Sequence, residues 1–139
     1  MTQEDKDLLL KDLCSRVPYG VKLKCFDLPK NPCDTKERVD LDCKLKSASN
    51  NLMVEIDHWG SYKVPIEKVK PYLRPMSSLV GKELDECRAT CKYRQVGQSV
   101  LDCATPETID YLISHHFDYR GLIPMGLALE APKDMYKTE

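Results

Sequence analysis

The chain has 139 residues, of which 42% are hydrophobic and 31% charged, and its formal net charge is −1. This composition is typical of a single globular domain. The sequence has neither the clustered Lys and Arg that drive nucleic-acid binding nor an apolar run of the roughly 18–20 residues that span a membrane. Because the N-terminal segment is also too acidic for a signal peptide, we expect a cytoplasmic protein without membrane contact.

Residues 1–19 predict an amphipathic N-terminal helix. Thr2 is a suitable cap, and the acidic residues after it suit the positive end of the helix dipole. Pro18 and Gly20 predict where the helix ends. Spacings of three and four predict one apolar stripe, formed by Leu9, Leu10, Leu13 and Cys14.

Residues 20–70 predict a small β-sheet. Residues 28–37 contain two prolines and predict a loop between its first two strands. The pattern is typical of a small antiparallel sheet or of an SH3-like barrel, in which partial closure protects the exposed edges. Apolar and polar residues alternate in four segments, which begin near Val21, Val39, Leu52 and Tyr62.

Residues 71–132 predict a helical and irregular segment that closes the sheet. The stretch KPYLRPMSS at 70–78 carries two prolines and predicts irregular structure. Residues 122–132 are apolar but contain two prolines and a glycine, which predicts a segment that wraps the surface or covers a sheet edge. Residues 133–139 predict a polar, mobile tail. The expected fold is therefore one α+β domain over residues 1–139.

Two helices are predicted within this closing segment. Ser78 is a plausible cap for the first, whose apolar stripe runs from Val80 to Cys91. Thr105 is the cap of the second, with Pro106 at its first position. A short strand is predicted between them, at 99–103.

The seven cysteines predict buried thiols rather than disulfides or a metal site. An odd number of cysteines without an export signal disfavours a disulfide framework. Structural zinc sites usually show two short cysteine spacings, whereas only Cys87 and Cys91 are close here, at the helical spacing of four. We therefore expect no metal and no cofactor.

The block HHFDYRG at residues 115–121 combines histidine, carboxylate and arginine, the parts of many catalytic sites. A structural role is the favoured interpretation. His116 falls on the apolar face of the last helix, which turns His115 to solvent. Asp118 and Arg120 can pair with each other or hold backbone groups of the irregular segment. Because no GxSxG, P-loop, HExxH or GxGxxG motif occurs either, we predict no catalytic residue and no enzymatic activity.

Three segments of the chain are recognisable together, namely KDLCSRVPYGVK, KPYLRPMSS and HHFDYRGLIPMGLALEAPKDMY. They resemble a large group of small uncharacterised proteins of gut anaerobic bacteria and of the phages and prophages that infect them. The resemblance covers most of the chain by the order of its segments and is loose between residues 26 and 70. It implies a cytoplasmic protein of a bacterium, or of a phage during infection, and it implies neither an enzyme nor a site residue.

The first functional hypothesis is a non-enzymatic protein-interaction module that binds a host or phage protein. Its predicted interface is the turn of His58, Trp59 and Gly60. A single tryptophan often marks core or interface, and core packing is the favoured role of Trp59, whereas at a loop tip it would be an exposed binding contact. Tyr62 and Tyr72 would extend this turn into an aromatic groove, of the kind that SH3-like barrels use for peptides.

The second hypothesis is a small-molecule binder that sequesters a nucleotide signal of host defence. Such a site needs converging cations and aromatic rings, and the candidates are Lys63, Arg74, Tyr119 and Arg120. A nucleic-acid-binding accessory protein is a third hypothesis, which the charge disfavours. A homo-oligomer is also open, because the apolar segment at 122–132 could pack on a neighbouring subunit.

Overall fold

The structure of this chain is a computed structural model that describes residues 2–31, 34–49, 53–57, 61–91, 101, 104–133 and 135–136. It is an α+β fold, as predicted, with one N-terminal helix and two C-terminal ones among the described residues. The helices are α1 (Gln3–Arg16), α2 (Gly81–Ala89) and α3 (Pro106–Ser114). The strands are β1 (Lys22–Asn31), β2 (Asp34–Ser49), β3 (Met53–Asp57), β4 (Ser61–Pro65), β5 (Val69–Leu73) and β6 (Leu129–Glu130).

The six described strands form one open sheet in the order β4-β3-β2-β1-β5-β6. All neighbouring strands are antiparallel except β5 and β6, which are parallel. The sheet is therefore mixed, and the prediction of a purely antiparallel sheet is wrong at this one pair. The SH3-like barrel is not confirmed, because β4 and β6 remain at two separate edges of the described sheet.

A β-bulge at Asp27 explains why the sequence pattern placed a loop too early. The register of β1 against β2 shifts between Cys25 and Leu28, and Asp27 has a left-handed φ of 55°. A bulge adds one residue to a strand. The buried residues before it have odd numbers (Leu23 and Cys25), whereas Leu28 after it has an even number and still faces the core. The loop predicted at 28–37 is wrong, since β1 continues to Asn31 and β2 begins at Asp34.

The stretch KPYLRPMSS also departs from its prediction, because its first half is a strand. In β5 the buried and half-buried residues alternate, with Val69, Pro71 and Leu73 facing the core. β6 pairs only with Tyr72 and Leu73, so Pro71 lies where β5 has a single neighbouring strand. A proline without an N–H is tolerated at such a position.

The helix α1 begins as predicted and buries Leu9 and Leu13 of the predicted apolar stripe, but not the whole of that stripe. Thr2 caps it in a capping box with Asp5. The prediction that Cys14 belongs to the buried stripe is wrong, because Cys14 is exposed while Asp12 and Arg16 are fully buried. Two charged side chains thus occupy the side of α1 that faces the protein interior.

The two later helices confirm one predicted cap and contradict the other. Thr105 caps α3 in a capping box with Thr108, and Pro106 is the first helical residue. α2 begins at Gly81 after Val80, so Ser78 is not its cap. The Ser78 hydroxyl instead donates a hydrogen bond to the Pro75 carbonyl (2.7 Å), within a short 3-10 turn.

The core consists of two clusters. The larger one joins α1 to the inner face of the sheet and to the apolar residues after α3, and the smaller one joins α2 to α3. Cys25, Cys43, Cys87 and Cys91 are buried, as predicted, whereas two of the remaining cysteines lie outside the described residues. A hydrogen bond with Cys43, together with burial, raises the pKa of Cys25, so its thiol stays protonated.

The segment at 122–132 covers a sheet edge, as predicted. Leu122 and Leu127 are buried in the larger core cluster, and residues 129–130 form the edge strand β6. The prediction of a mobile tail at 133–139 missed one contact, since Tyr136 also packs on this cluster. The strand predicted at 99–103 lies outside the described residues except for Leu101. None of the described helices has the length and apolar character needed to cross a bilayer.

A buried ion pair fastens α1 to the end of α3. The Nε of Arg16 donates to Asp12 (2.8 Å), and another guanidinium nitrogen donates to the Phe117 carbonyl (2.6 Å). Both charged side chains are fully buried. Arg120 approaches the second oxygen of Asp12 at 3.2 Å, so one carboxylate is shared by two guanidinium groups.

Replacing Arg16 by Met should destabilise the protein by about 3 kcal/mol, because it removes one of the two cations that share the buried Asp12 carboxylate and leaves the Phe117 carbonyl without its donor. Urea denaturation followed by circular dichroism measures this change. Lys11→Met is the matched control, since Lys11 is exposed on the same helix, and it should change stability by less than about 0.5 kcal/mol. Equal stability of the two variants would contradict the role given to Arg16.

Candidate binding site

The end of α3 is built by a Schellman motif. The His116 N–H donates to Ile113 and the Phe117 N–H donates to Leu112 (3.0 and 2.9 Å). This motif needs a left-handed residue, and His116 supplies it with a φ of 65°. The chain then turns sharply, which places the His116 ring beneath the C-terminal segment instead of along the helix.

The residues after this turn are fixed by backbone hydrogen bonds to the end of β5. The Arg74 N–H donates to the His116 carbonyl (2.7 Å), and the Asp118 N–H donates to the Arg74 carbonyl (2.8 Å). The Asp118 carboxylate accepts from the N–H groups of Leu122 and Ile123 (2.8 and 2.9 Å). Of the two alternatives for Asp118, binding backbone groups is therefore confirmed, while Arg120 pairs with Asp12.

A groove of about 510 Å³ lies beside Arg74, and we call it the Arg74 groove. One wall comes from the residues before and within the first turn of α2, and the other from β6 and the residues after it. Its lining includes Arg74, Ser77, Glu83, Glu130, Ala131 and Lys133.

The floor of the Arg74 groove is a bidentate ion pair. Two guanidinium nitrogens of Arg74 donate to the two oxygens of Glu83 (2.8 and 2.6 Å). These hydrogen bonds hold the pKa of the Glu83 carboxyl below its usual value. The guanidinium also lies 4.2 Å from the centre of the Phe117 ring, so the pair is held in one orientation from below.

Tyr136 ends the groove and ties the C-terminal segment to the sheet. Its hydroxyl accepts from the Lys22 N–H and donates to the Tyr72 carbonyl, both at 2.8 Å. The β1–β5 pairing stops one residue earlier, at Leu23 and Pro71. Lys22 and Tyr72 would be the next pair of residues in the β1–β5 pairing. The Tyr136 hydroxyl therefore links two residues that the strands do not join directly. Burial raises the pKa of Tyr136 to about 12.

A second, smaller depression of about 250 Å³ is also lined by Tyr136, and we call it the His116 depression. The His116 ring stacks on the Tyr136 ring with centroids 3.8 Å apart. His115 is half-buried and stacks on Tyr111, so it is not turned fully to solvent. Arg74 and Tyr136 line both cavities.

The surroundings of His116 favour its neutral form. Its side chain is buried, and its Nδ1 has no hydrogen-bond partner among the described residues. Burial lowers the pKa of His116 to about 4, and the cations Arg16, Arg74 and Lys22 act in the same direction. At pH 7 the ring is uncharged.

The residues proposed from sequence for a nucleotide site lie in three places. Arg74 is in the groove, whereas the Arg120 guanidinium lies 4.8 Å from the Tyr119 ring centre and faces Asp12. Lys63 is exposed on the edge strand β4, and three other strands lie between β4 and β5. The structure thus brings together Tyr119 and Arg120 and separates them from Lys63.

The residues proposed for an aromatic groove are only partly described. Trp59 and its turn lie outside the described residues, and so does the side chain of Tyr62. The Tyr72 hydroxyl donates to Asp42 (2.7 Å). Burial and this hydrogen bond raise the pKa of Tyr72 to about 12. Tyr72 contributes its carbonyl, and not its ring, to the attachment of Tyr136.

Sequence reasoning missed Glu83, Glu130 and Tyr136 as site residues. No role is predicted for Glu83 from the sequence, and Tyr136 lies in the segment for which the sequence predicts a polar, mobile tail. A weak signal existed for Tyr136, since one aromatic residue in a charged tail often marks a contact. Nothing in the sequence pairs Glu83 with Arg74.

Comparison with protein-family models, with curated proteins and with solved structures returned no match to this chain. In the described part of the chain, no three His, Cys, Asp or Glu side chains are grouped as metal ligands. The two cavities are therefore the features of the described structure that point to a function.

Tyr136→Phe should destabilise the protein by about 1–3 kcal/mol, because it keeps the ring stack on His116 but leaves the Lys22 N–H and the Tyr72 carbonyl without their bridge. Guanidinium denaturation of the two proteins gives the difference. Tyr19→Phe is the control, since the Tyr19 side chain is 43% exposed and its hydroxyl makes no hydrogen bond with the described residues. An unchanged Tyr136→Phe variant would show that the bridge contributes nothing.

Stability should fall as the pH drops from about 6.5 towards 4, because unfolded His116 takes up a proton there while the folded ring, with a pKa of about 4, does not. Between pH 7 and pH 5 the expected loss is about 2 kcal/mol. Urea denaturation at both pH values measures it, and His116→Phe should remove most of the dependence. The same slope in that variant would assign the effect to other groups.

Proposed function

We propose that this protein is a non-enzymatic protein-interaction module whose Arg74 groove receives an extended segment of a partner protein. The observation that carries the proposal is an open groove of about 510 Å³ that runs along the edge strand β6. This volume lies within the roughly 300–1,000 Å³ that is typical of ligand pockets. The resemblance to proteins of gut bacteria and of their phages implies that the partner is a host or phage protein.

The backbone of β6 supports an extended ligand. The Ala131 N–H donates to the Leu73 carbonyl (2.8 Å). The backbone hydrogen-bonding groups of residues 129 and 131 therefore point towards β5. Because such groups alternate along a strand, the N–H and the carbonyl of Glu130 face away from β5. A partner strand could pair there, as in other cases of strand addition to a sheet edge. Pro132, which has no N–H, limits the pairing to a short stretch.

The charges of the groove indicate what the segment should carry. Glu130 and Lys133 are exposed and make no ion pair with the described residues. Arg74 and Glu83 are already paired at the floor. A segment with one acidic and one basic side chain close together would complement the charges of Glu130 and Lys133.

A nucleotide signal is less well supported as the ligand of this groove. A polyphosphate needs converging cations, and the Arg74 guanidinium is already bound by Glu83. Lys133 is then the cation left over in the lining of the groove. A small nucleotide and a nucleic acid are the alternative ligands that the experiment below also tests.

Peptides selected from a random display library against the protein should lose at least tenfold in affinity for Ala131→Trp, because the indole ring would fill the groove. Ala89→Trp is the matched control, since Ala89 is exposed on α2 and does not line the groove. Fluorescence anisotropy measures both affinities, and the peptides should keep their affinity for the control variant within about twofold.

Two results would refute the groove as the interface. Selected peptides that bind Ala131→Trp as well as the parent protein would place the interface elsewhere, and a loss with Trp59→Ala would place it at the predicted tryptophan turn. If the selection yields no binding peptide and a nucleotide or a nucleic acid binds in the anisotropy assay, the protein is a nucleotide-binding or nucleic-acid-binding protein instead.

A further inference from the structure

The His116 depression differs from the Arg74 groove in the charge of its lining. Its side chains are neutral or cationic, whereas the groove contains two carboxylates, those of Glu83 and Glu130. Among the described residues, the lining of the depression includes Tyr19, Arg74, Ser114, His115, His116 and Tyr136.

The groups behind this lining add positive charge. Arg16 and Arg120 share the single carboxylate of Asp12, so these three side chains carry a net charge of one. Lys22 donates through its Nζ to the Met135 carbonyl (3.3 Å) and pairs with no carboxylate of the described residues. Arg16 and Lys22 both act electrostatically on His116. Glu83 binds Arg74 and also acts electrostatically on His115, so the positive excess comes from Lys22 and from the group of Arg16, Asp12 and Arg120.

The His116 ring offers a hydrogen-bond donor to the depression. Its Nδ1 is enclosed and has no partner, while its Nε2 is not enclosed. A neutral imidazole carries one N–H. An enclosed N–H without an acceptor is costly, whereas an accessible one can bind water, so the proton belongs on Nε2. Arg74 lies in the same lining. Two of its guanidinium N–H groups bind Glu83 and a third donates to the His115 carbonyl (3.4 Å), which leaves two of the five.

We propose that the His116 depression binds a small oxyanion, the group found in a carboxylate or in a phosphate ester. A volume of about 250 Å³ admits such a group together with a small substituent. The N–H groups of His116 and Arg74 donate to the oxyanion. The excess positive charge of Lys22 and of the Arg16, Asp12 and Arg120 group attracts it. This site does not depend on the Arg74 groove being a peptide site.

Titration with inorganic phosphate and with acetate at pH 7 tests the proposal, with sodium chloride at matched ionic strength as the reference. Amide chemical shifts of Gly20, His115 and His116 should change saturably with phosphate or acetate and not with chloride. A stronger response to phosphate would indicate a phosphate ester as the natural group, and a response to acetate of equal strength would indicate a carboxylate.

Tyr19→Glu should weaken the binding of these anions about tenfold, because it adds a negative charge to an exposed position in the lining. Val80→Glu is the control, since Val80 is 63% exposed and lines neither cavity, and it should change the affinity by less than twofold. Shifts that follow ionic strength alike for all three salts would overturn the proposal. So would equal anion affinity of Tyr19→Glu and the parent protein.

Discussion

The buried side chain of Arg16 is the constraint on which the rest of the structure depends. A guanidinium group withdrawn from water costs several kcal/mol unless its partners are in place. Those partners are Asp12, one turn earlier on the same helix, and the Phe117 carbonyl, which is 101 residues away. A single helix of 14 residues is only marginally stable alone. The docking of α1 and the turn after α3 therefore form together, because each leaves a buried polar group unpaired without the other.

This constraint also explains the composition of the HHFDYRG block. Histidine, aspartate and arginine side chains are common in active sites, but in this block they stabilise the turn after α3. His116 takes the left-handed conformation, Asp118 binds two backbone N–H groups and Arg120 shares Asp12 with Arg16. The segment after the block then returns along β5 and brings Tyr136 over His116. The two cavities are a consequence of that return, since Tyr136 lines both of them.

The two proposed sites share Arg74 and Tyr136. Arg74 connects β5, α2 and the end of α3, through its backbone, its ion pair with Glu83 and its contact with Phe117. A ligand that moves either shared side chain changes the shape of both cavities. Occupation of the oxyanion site and binding of a segment in the groove would then influence each other, and the energy of that coupling is equal in the two directions.

The sequence by itself determined the elements whose signals are local. The Thr2 and Thr105 caps, the helices they begin and the alternation of β1 to β4 follow from residues within a few positions of each other. Tertiary structure decided the rest. The bulge at Asp27 shifted one strand, the strand β5 formed despite Pro71, and α1 buried Asp12 and Arg16 instead of Cys14. The pairing of Arg74 with Glu83 and the attachment of Tyr136 were likewise invisible, because the free energy of a buried charge or hydroxyl depends on a partner that is distant in the chain and close only after folding.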